Sequence, residues 1–138
     1  MASRKIVRKI ISTSMGPKPV GPYNQAVLVD RTLYLSGVLG VDTKTQKLAE
    51  GGTVCEARQA LINMGHILEA AGSSYDKVVK TTIFLNNIDD FAGVNEVYKE
   101  YFKENYPARS TYQVGKLPVG ATVEIEAIAV TGEVETVQ

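Results

Sequence analysis

The chain has 138 residues, 44% of them hydrophobic and 22% charged, and fifteen basic side chains balance fifteen acidic ones. That is the length of one domain with a real core, in the composition range of an ordinary soluble globular protein. Zero net charge argues against a broad nucleic-acid or membrane footprint. The lone cysteine, Cys55, and the lone histidine, His66, exclude an internal disulfide and a Cys/His zinc site.

No acidic residue precedes Asp30, and Arg4, Lys5, Arg8, Lys9 and Lys18 stand among Ser and Thr. Such a segment suits a mitochondrial presequence. The preferred reading is a basic first strand over 6–13, whose apolar residues need a place to pack. A loop dense in breakers follows from Gly16 to Pro22. Gln25–Val29 and Thr32–Ser36 read as a hairpin turning at Asp30-Arg31, because β-branched and aromatic residues dominate both arms. Gly37 and Gly40 let the backbone bend or approach a ligand. Asp42–Gly52 reads as a polar loop.

Thr53 and Glu56 have the spacing of a capping box. Val54, Ala57, Leu61, Met64, Leu68 and Ala71 then mark one helical stripe, and Gly72 is placed to end the helix. His66 falls beside Asn63 and Glu69, on what reads as the polar side. Val78–Leu85 is a strand apolar on both faces, with Val79, Ile83 and Leu85 expected on one side. Asp89 or Asp90 is expected to cap a second helix with the stripe Phe91, Val94, Tyr98, Tyr101 and Phe102. Asn95 lies beside that stripe and needs water or a polar partner. Pro107 stops the helix and drives Tyr106 to extended geometry. A strand from Ser110 to Val114, a turn at Lys116–Gly120 and an alternating strand from Thr122 to Thr131 complete the chain.

The order is β-ββ-α-β-α-β-β, and no domain boundary, repeat or low-complexity tract interrupts it. Connections of this length favour right-handed crossovers. An α+β domain follows, a mixed six-stranded sheet with both helices on one face. The other face keeps apolar residues, and self-association is the simplest way to bury them. No apolar run approaches the roughly 20 residues needed to span a bilayer.

Motifs of familiar chemistry are absent: there is no phosphate loop, G-x-G-x-x-G, H-E-x-x-H or G-x-S-x-G. Cys55 sits in a first helical turn but has no histidine partner in sequence. Glu124 and Glu126, two apart on a strand, are either an acid/base pair or part of a solvent face. Arg109 follows the Pro107 junction between Ala108 and Ser110. It is either a surface arginine paired with a carboxylate or a planar fork for a ligand carboxylate or phosphate.

Several blocks decide between these readings by resemblance. Gly21-Pro22-Tyr23-Asn24-Gln25-Ala26, Leu35-Ser36-Gly37, Val79–Ile83, Phe91–Tyr98, Tyr106-Pro107-Ala108-Arg109-Ser110 and Val123–Val130 resemble, in order, the blocks of the YjgF/YER057c/UK114 family, also called RidA. The resemblance runs from about Ile11 to Val130 and is nearest the animal UK114 branch. It implies a chorismate-mutase-like homotrimer with a site in each cleft between subunits. The lone cysteine favours a reducing compartment, the cytoplasm, and the basic N-terminus leaves the mitochondrion as the alternative. The resemblance implies a cofactor-independent, metal-free deaminase that hydrolyses 2-iminopropanoate and 2-iminobutanoate, released by pyridoxal-phosphate enzymes, to 2-keto acids and ammonia. Arg109 would grip the carboxylate, Glu124 would activate water and Tyr23 would close the site. Ser36, Gly37, Asn95 and Thr111 would contribute to binding. Two positions depart from the family pattern: Val38 stands where many members have Gln, and Thr111 where bacterial members often have Cys. Animal members have also been described as ribonucleases that inhibit translation, which zero net charge and one histidine support poorly. A non-catalytic small-ligand or chaperone-like module would need Arg109 but not Glu124.

Overall fold

The computed structural model describes residues 4–138. Eight strands and two α-helices run in the order β1 (Arg8–Ile11), β2 (Ala26–Val29), β3 (Thr32–Leu39), β4 (Val41–Asp42), β5 (Lys47–Leu48), α1 (Thr53–Ala70), β6 (Val78–Leu85), α2 (Phe91–Tyr101), β7 (Ala108–Gln113) and β8 (Val123–Val130). Six strands form one mixed sheet in the order β1-β2-β3-β8-β6-β7. Only β6 and β7, joined through α2, pair in parallel.

Register fixes what each face carries, because directly paired residues share a face. Leu33, Leu35, Thr81, Ile83, Val123, Ile125 and Ala127 are buried on one side. There they join Ala57, Leu61, Met64 and Leu68 of α1 and Val94 and Val97 of α2 in a single core. The Thr81 and Tyr98 hydroxyls meet at 2.8 Å in this layer, so α2 shares the face that α1 covers. Burying each large aliphatic side chain there contributes about 1.5–3 kcal/mol. Among the described residues no helix covers the opposite face. It presents Ile10, Tyr34 and Tyr112, each about half exposed, with Phe84, Ile128 and Val130 partly buried between them.

Several local expectations are corrected. Asp42–Gly52 is not simply a loop: β4 and β5 form a small hairpin of their own. Gly52 is the N-cap of α1 and makes no side-chain cap bond. The capping-box residues are spent elsewhere: the Thr53 hydroxyl donates to Asp90 Oδ2 at 2.8 Å, and Glu56 Oε1 accepts from the Thr122 N–H at 2.9 Å. Tertiary partners at the junction of α1, α2 and β8 outcompete the local reciprocal cap. The C-terminus behaves as expected. Gly72 has φ +78°, and its N–H and that of Ser73 bond back to the Glu69 and Leu68 carbonyls, a full Schellman closure.

Val54 is 40% exposed, so the apolar stripe of α1 begins at Ala57. Asn63, expected on the polar side, is buried because its Nδ2 donates to the Leu39 and Val41 carbonyls, tying α1 to the end of β3. His66 is half-buried rather than fully solvated. In β6 a register shift between Val78 and Lys80 extrudes Val79, so Val78 rather than Val79 joins the core. Asp90 is the N-cap of α2 without a side-chain cap bond; Asn87 instead caps the 3₁₀ turn before it by accepting from Asp89 N–H. Phe91 is 40% exposed, and Val97 takes the core position instead.

Gly40 sits where β3 passes to β4, and a Cβ there would overlap the backbone carbonyl of Glu56. Backbone cannot swing aside as a side chain can. Gly40→Ala should therefore cost about 2 kcal/mol or more in denaturant unfolding. Gly115→Ala, where an added Cβ would have nothing within 4 Å beyond its chain neighbours, should stay within about 0.5 kcal/mol of the parent. Equal effects would contradict this packing.

Candidate active site

Two clefts hold most of the candidate residues, and they share no lining residue. The first, about 510 Å³, is lined by Tyr23, Ser36, Gly37 and Glu124, with Val20, Leu39, Val119 and others forming an apolar wall. The second, about 370 Å³, is lined by Asn95, Tyr98, Lys99, Tyr106, Pro107 and Arg109.

A β-bulge builds the first cleft. Between Leu35 and Val38 the pairing of β3 with β8 shifts, leaving Ser36 and Gly37 outside the ladder. Bulges of this kind re-aim backbone beside sites. The Ser36 hydroxyl donates to the Asn24 carbonyl at 2.6 Å, and its N–H donates to the Gln25 carbonyl at 3.0 Å. Both donors of Ser36 are thus committed within the chain, and what it offers a ligand is acceptor capacity. Gly37 makes room for the carboxylate of Glu124: a Cβ at position 37 would come within 2.7 Å of Glu124 Cδ. Glu124 lies on β8 opposite Leu39 and Phe84. Its pKa is raised, first by burial, which penalises the charged form, and second by the charge of Glu126. Tyr23 stands at the rim, 48% exposed, its hydroxyl accepting from the Val20 N–H at 3.3 Å.

The second cleft is organised by aromatic rings. The Arg109 guanidinium lies 4.8 Å from the centroid of Tyr98 and 5.5 Å from that of Phe91. Such stacking is worth about 0.5–2 kcal/mol and leaves the in-plane N–H donors free. Among the described residues no carboxylate pairs with Arg109, so it is not the ion-paired surface arginine that local pattern favours. Burial raises the pKa of Tyr98, while its bond to Thr81 and the charge of Arg109 pull it back. Thr111 lies two residues along β7 from Arg109 but lines neither cleft. Its Oγ1 is buried with no hydrogen-bond partner.

One chain does not bring the two halves together. Arg109 and Thr111 pair with Thr81 and Ile83, on the helix-covered face of an edge strand. Glu124 pairs with Phe84, on the uncovered face of a central strand.

Residues that pattern reading overlooked include Tyr98, whose ring carries Arg109, and Gln25, which lines the first cleft. Val119 is another: it adopts φ 52°, an uncommon conformation for a β-branched residue, at the cleft wall. The stripe of α2 marked Tyr98 only as core, and nothing local distinguishes Gln25 or Val119.

A family model described as "Endoribonuclease L-PSP" matches residues 13–131. The chain belongs to that family. It is 54% identical over 131 residues to the 2-iminobutanoate/2-iminopropanoate deaminase of Homo sapiens, covering 95% of this chain and 96% of the relative. It is 57% identical over 131 residues to the RutC family protein UK114 of Drosophila melanogaster, covering 95% of each chain. Among solved structures, E. coli TdcF with bound serine superposes with a TM-score of 0.85 at 40% identity, covering 90% of this chain and 99% of that one. The α+β architecture is thus that of the L-PSP family.

Two causes raise the Glu124 pKa, and Glu126→Gln removes one of them. By carboxyl NMR titration, Glu124 should titrate above the ordinary glutamate value in the parent. It should move down in Glu126→Gln without reaching that value, because burial remains. An unmoved or raised pKa in the variant would contradict the arrangement.

Proposed function

We propose that this chain is a 2-iminobutanoate/2-iminopropanoate deaminase. The observation that carries the reading is a ring-stacked arginine in one cleft, paired with no carboxylate among the described residues, and a partly buried carboxylate of raised pKa in another. A chain more than half identical to the human deaminase carries them both.

A 2-imino acid is a small carboxylate with a reactive C=N bond. The Arg109 fork fits the carboxylate bidentately and holds the imine carbon still. Ionised Glu124 takes a proton from water as the water oxygen bonds to that carbon and the C=N electron pair moves to nitrogen. The tetrahedral adduct then collapses. Glu124 gives its proton to the nitrogen, then takes the hydroxyl proton as the keto carbonyl forms and delivers it to the departing nitrogen as the C–N bond breaks. The products are a 2-keto acid and ammonia, and every proton is accounted for by water and one carboxyl group. A raised pKa suits Glu124 to both directions of transfer. Tyr23 closes the rim, and Asn95 and the Gly37 backbone supply polar contacts. The Thr111 backbone, two residues along β7 from Arg109, supplies another.

We further propose that the working site is shared between protomers of a homotrimer, where the second cleft of one chain meets the first cleft of the next. The separation of the two clefts and the apolar character of the uncovered face support this. Burying such a face contributes about 25 cal/mol per Å².

The family's description favours a second reading, an endoribonuclease. A metal-free ribonuclease wants a general acid/base pair on the nucleic acid, and His66 lines neither cleft.

The test is a coupled assay in which a pyridoxal-phosphate dehydratase generates 2-iminopropanoate and keto-acid appearance is followed. The protein should accelerate it. Arg109→Ala should lower kcat/KM by about 10²-fold or more, the loss expected for a bidentate charged contact. Glu124→Gln should abolish turnover while 2-oxobutanoate binding stays within about threefold of the parent. No acceleration by the parent protein would overturn the reading. Unchanged turnover in Glu124→Gln would favour a binding module.

A further inference from the structure

We propose that Gln25 is a positioning residue: its side-chain amide fixes the loop from Thr13 to Asn24 and thereby holds Tyr23 over the first cleft. Its catalytic consequence rests on the deaminase reading, whereas its hold on the loop does not.

The loop has no regular secondary structure and includes Pro17, Pro19 and Pro22. Its neighbours in space are bound to it through few groups. Gln25 is 6% exposed, and its amide oxygen and both amide hydrogens bond to the same loop. Gln25 Oε1 accepts from the Thr13 N–H at 2.8 Å. Its Nε2 donates to the Thr13 carbonyl at 3.0 Å and to the Pro17 carbonyl at 2.9 Å. One buried side chain thus substitutes for a strand partner, clasping the loop at its start and at Pro17. A side chain at Gly16 would intrude on this clasp, with a Cβ 3.2 Å from Gln25 Nε2.

From Pro17 the constraint passes along a short, stiff path. Pro17 and Pro19 restrict φ, and Val20 then donates its N–H to the Tyr23 hydroxyl at 3.3 Å. Val20 is 90% exposed, so burial does not hold it there. A second tie lies downstream, where Ser36 donates to the Asn24 and Gln25 carbonyls. Ser36 fixes the loop's exit, and Gln25 fixes its entry and middle. Without the clasp, the segment carrying Val20 has no other side-chain bond to the sheet among the described residues.

The test compares Gln25→Met, which keeps the length and loses the amide, with the parent by backbone hydrogen exchange. It adds imine turnover in parent and Tyr23→Phe backgrounds. Protection of the Val20 amide should fall by about tenfold or more, while amides of β8 keep theirs. Turnover kcat/KM should fall by about tenfold in the parent background and by less than about twofold in Tyr23→Phe, because both changes break one chain of contacts. Unaltered Val20 exchange, or equal losses in the two backgrounds, would overturn the proposal. If Gln25→Met fails to fold, Gln25→Glu, which keeps the acceptor and loses both donors, carries the same comparison. If the parent protein itself shows no imine hydrolysis, the deaminase reading fails, and the exchange comparison alone decides whether Gln25 holds the loop.

Discussion

Side chains alternate across a β-strand, and that alternation governs everything about this molecule's chemistry. Arg109 shares its face with Thr81, beneath the helices; Glu124 shares its face with Phe84, on the side no helix covers. A slip of one residue in either strand would reverse a face and bury the wrong side chains. The core residues Ile83, Val123 and Ile125 that lock the register therefore also decide where the arginine and the carboxylate emerge. Packing and site geometry are set by the same pairing.

Each half of the site is tuned by its own surroundings. Arg109 lies against two rings of α2, and the nearer ring is itself pinned through its hydroxyl to Thr81. The fork is thus ordered before any ligand arrives, which lowers the entropy lost on binding. Glu124 is held half out of water beside a bulge that removes Ser36 and Gly37 from the ladder. Burial and Glu126 favour its protonated form, the direction a carboxyl group needs if it is to accept and return a proton near neutrality.

Much of this was legible in the sequence because the signals were periodic. Spacings of three and four located both helices, strict alternation located β8, and Pro107 marked the start of β7. Gly37 suggested a bend after an arm ending at Ser36; the strand instead runs on through a bulge there to Leu39. The failures share one cause: a local pattern yielded to a tertiary partner. Thr53 and Glu56 left their capping box for Asp90 and Thr122. Asn63, polar by type, was drawn inside by two carbonyls at the end of β3. Val79 was extruded by a bulge that no composition rule marks. Among the candidate site residues, local pattern marked Arg109, Glu124 and Asn95 without deciding their role, since an arginine after a proline and two strand glutamates are common surface features; family resemblance favoured the functional reading and added Tyr23. Gln25 escaped even that, because its three partners are backbone groups that sequence does not distinguish.

The division of the site between two chains is the central claim, and complementation between inactive variants tests it most directly. Arg109→Ala and Glu124→Gln proteins, each inactive alone, are unfolded, mixed in equal amounts and refolded together, and imine turnover is measured. A site built from one protomer's arginine and its neighbour's glutamate should recover about one quarter of parental activity, since random assembly joins two intact halves at that frequency. A mixture that assembles fully yet stays as inactive as its components would contradict the account.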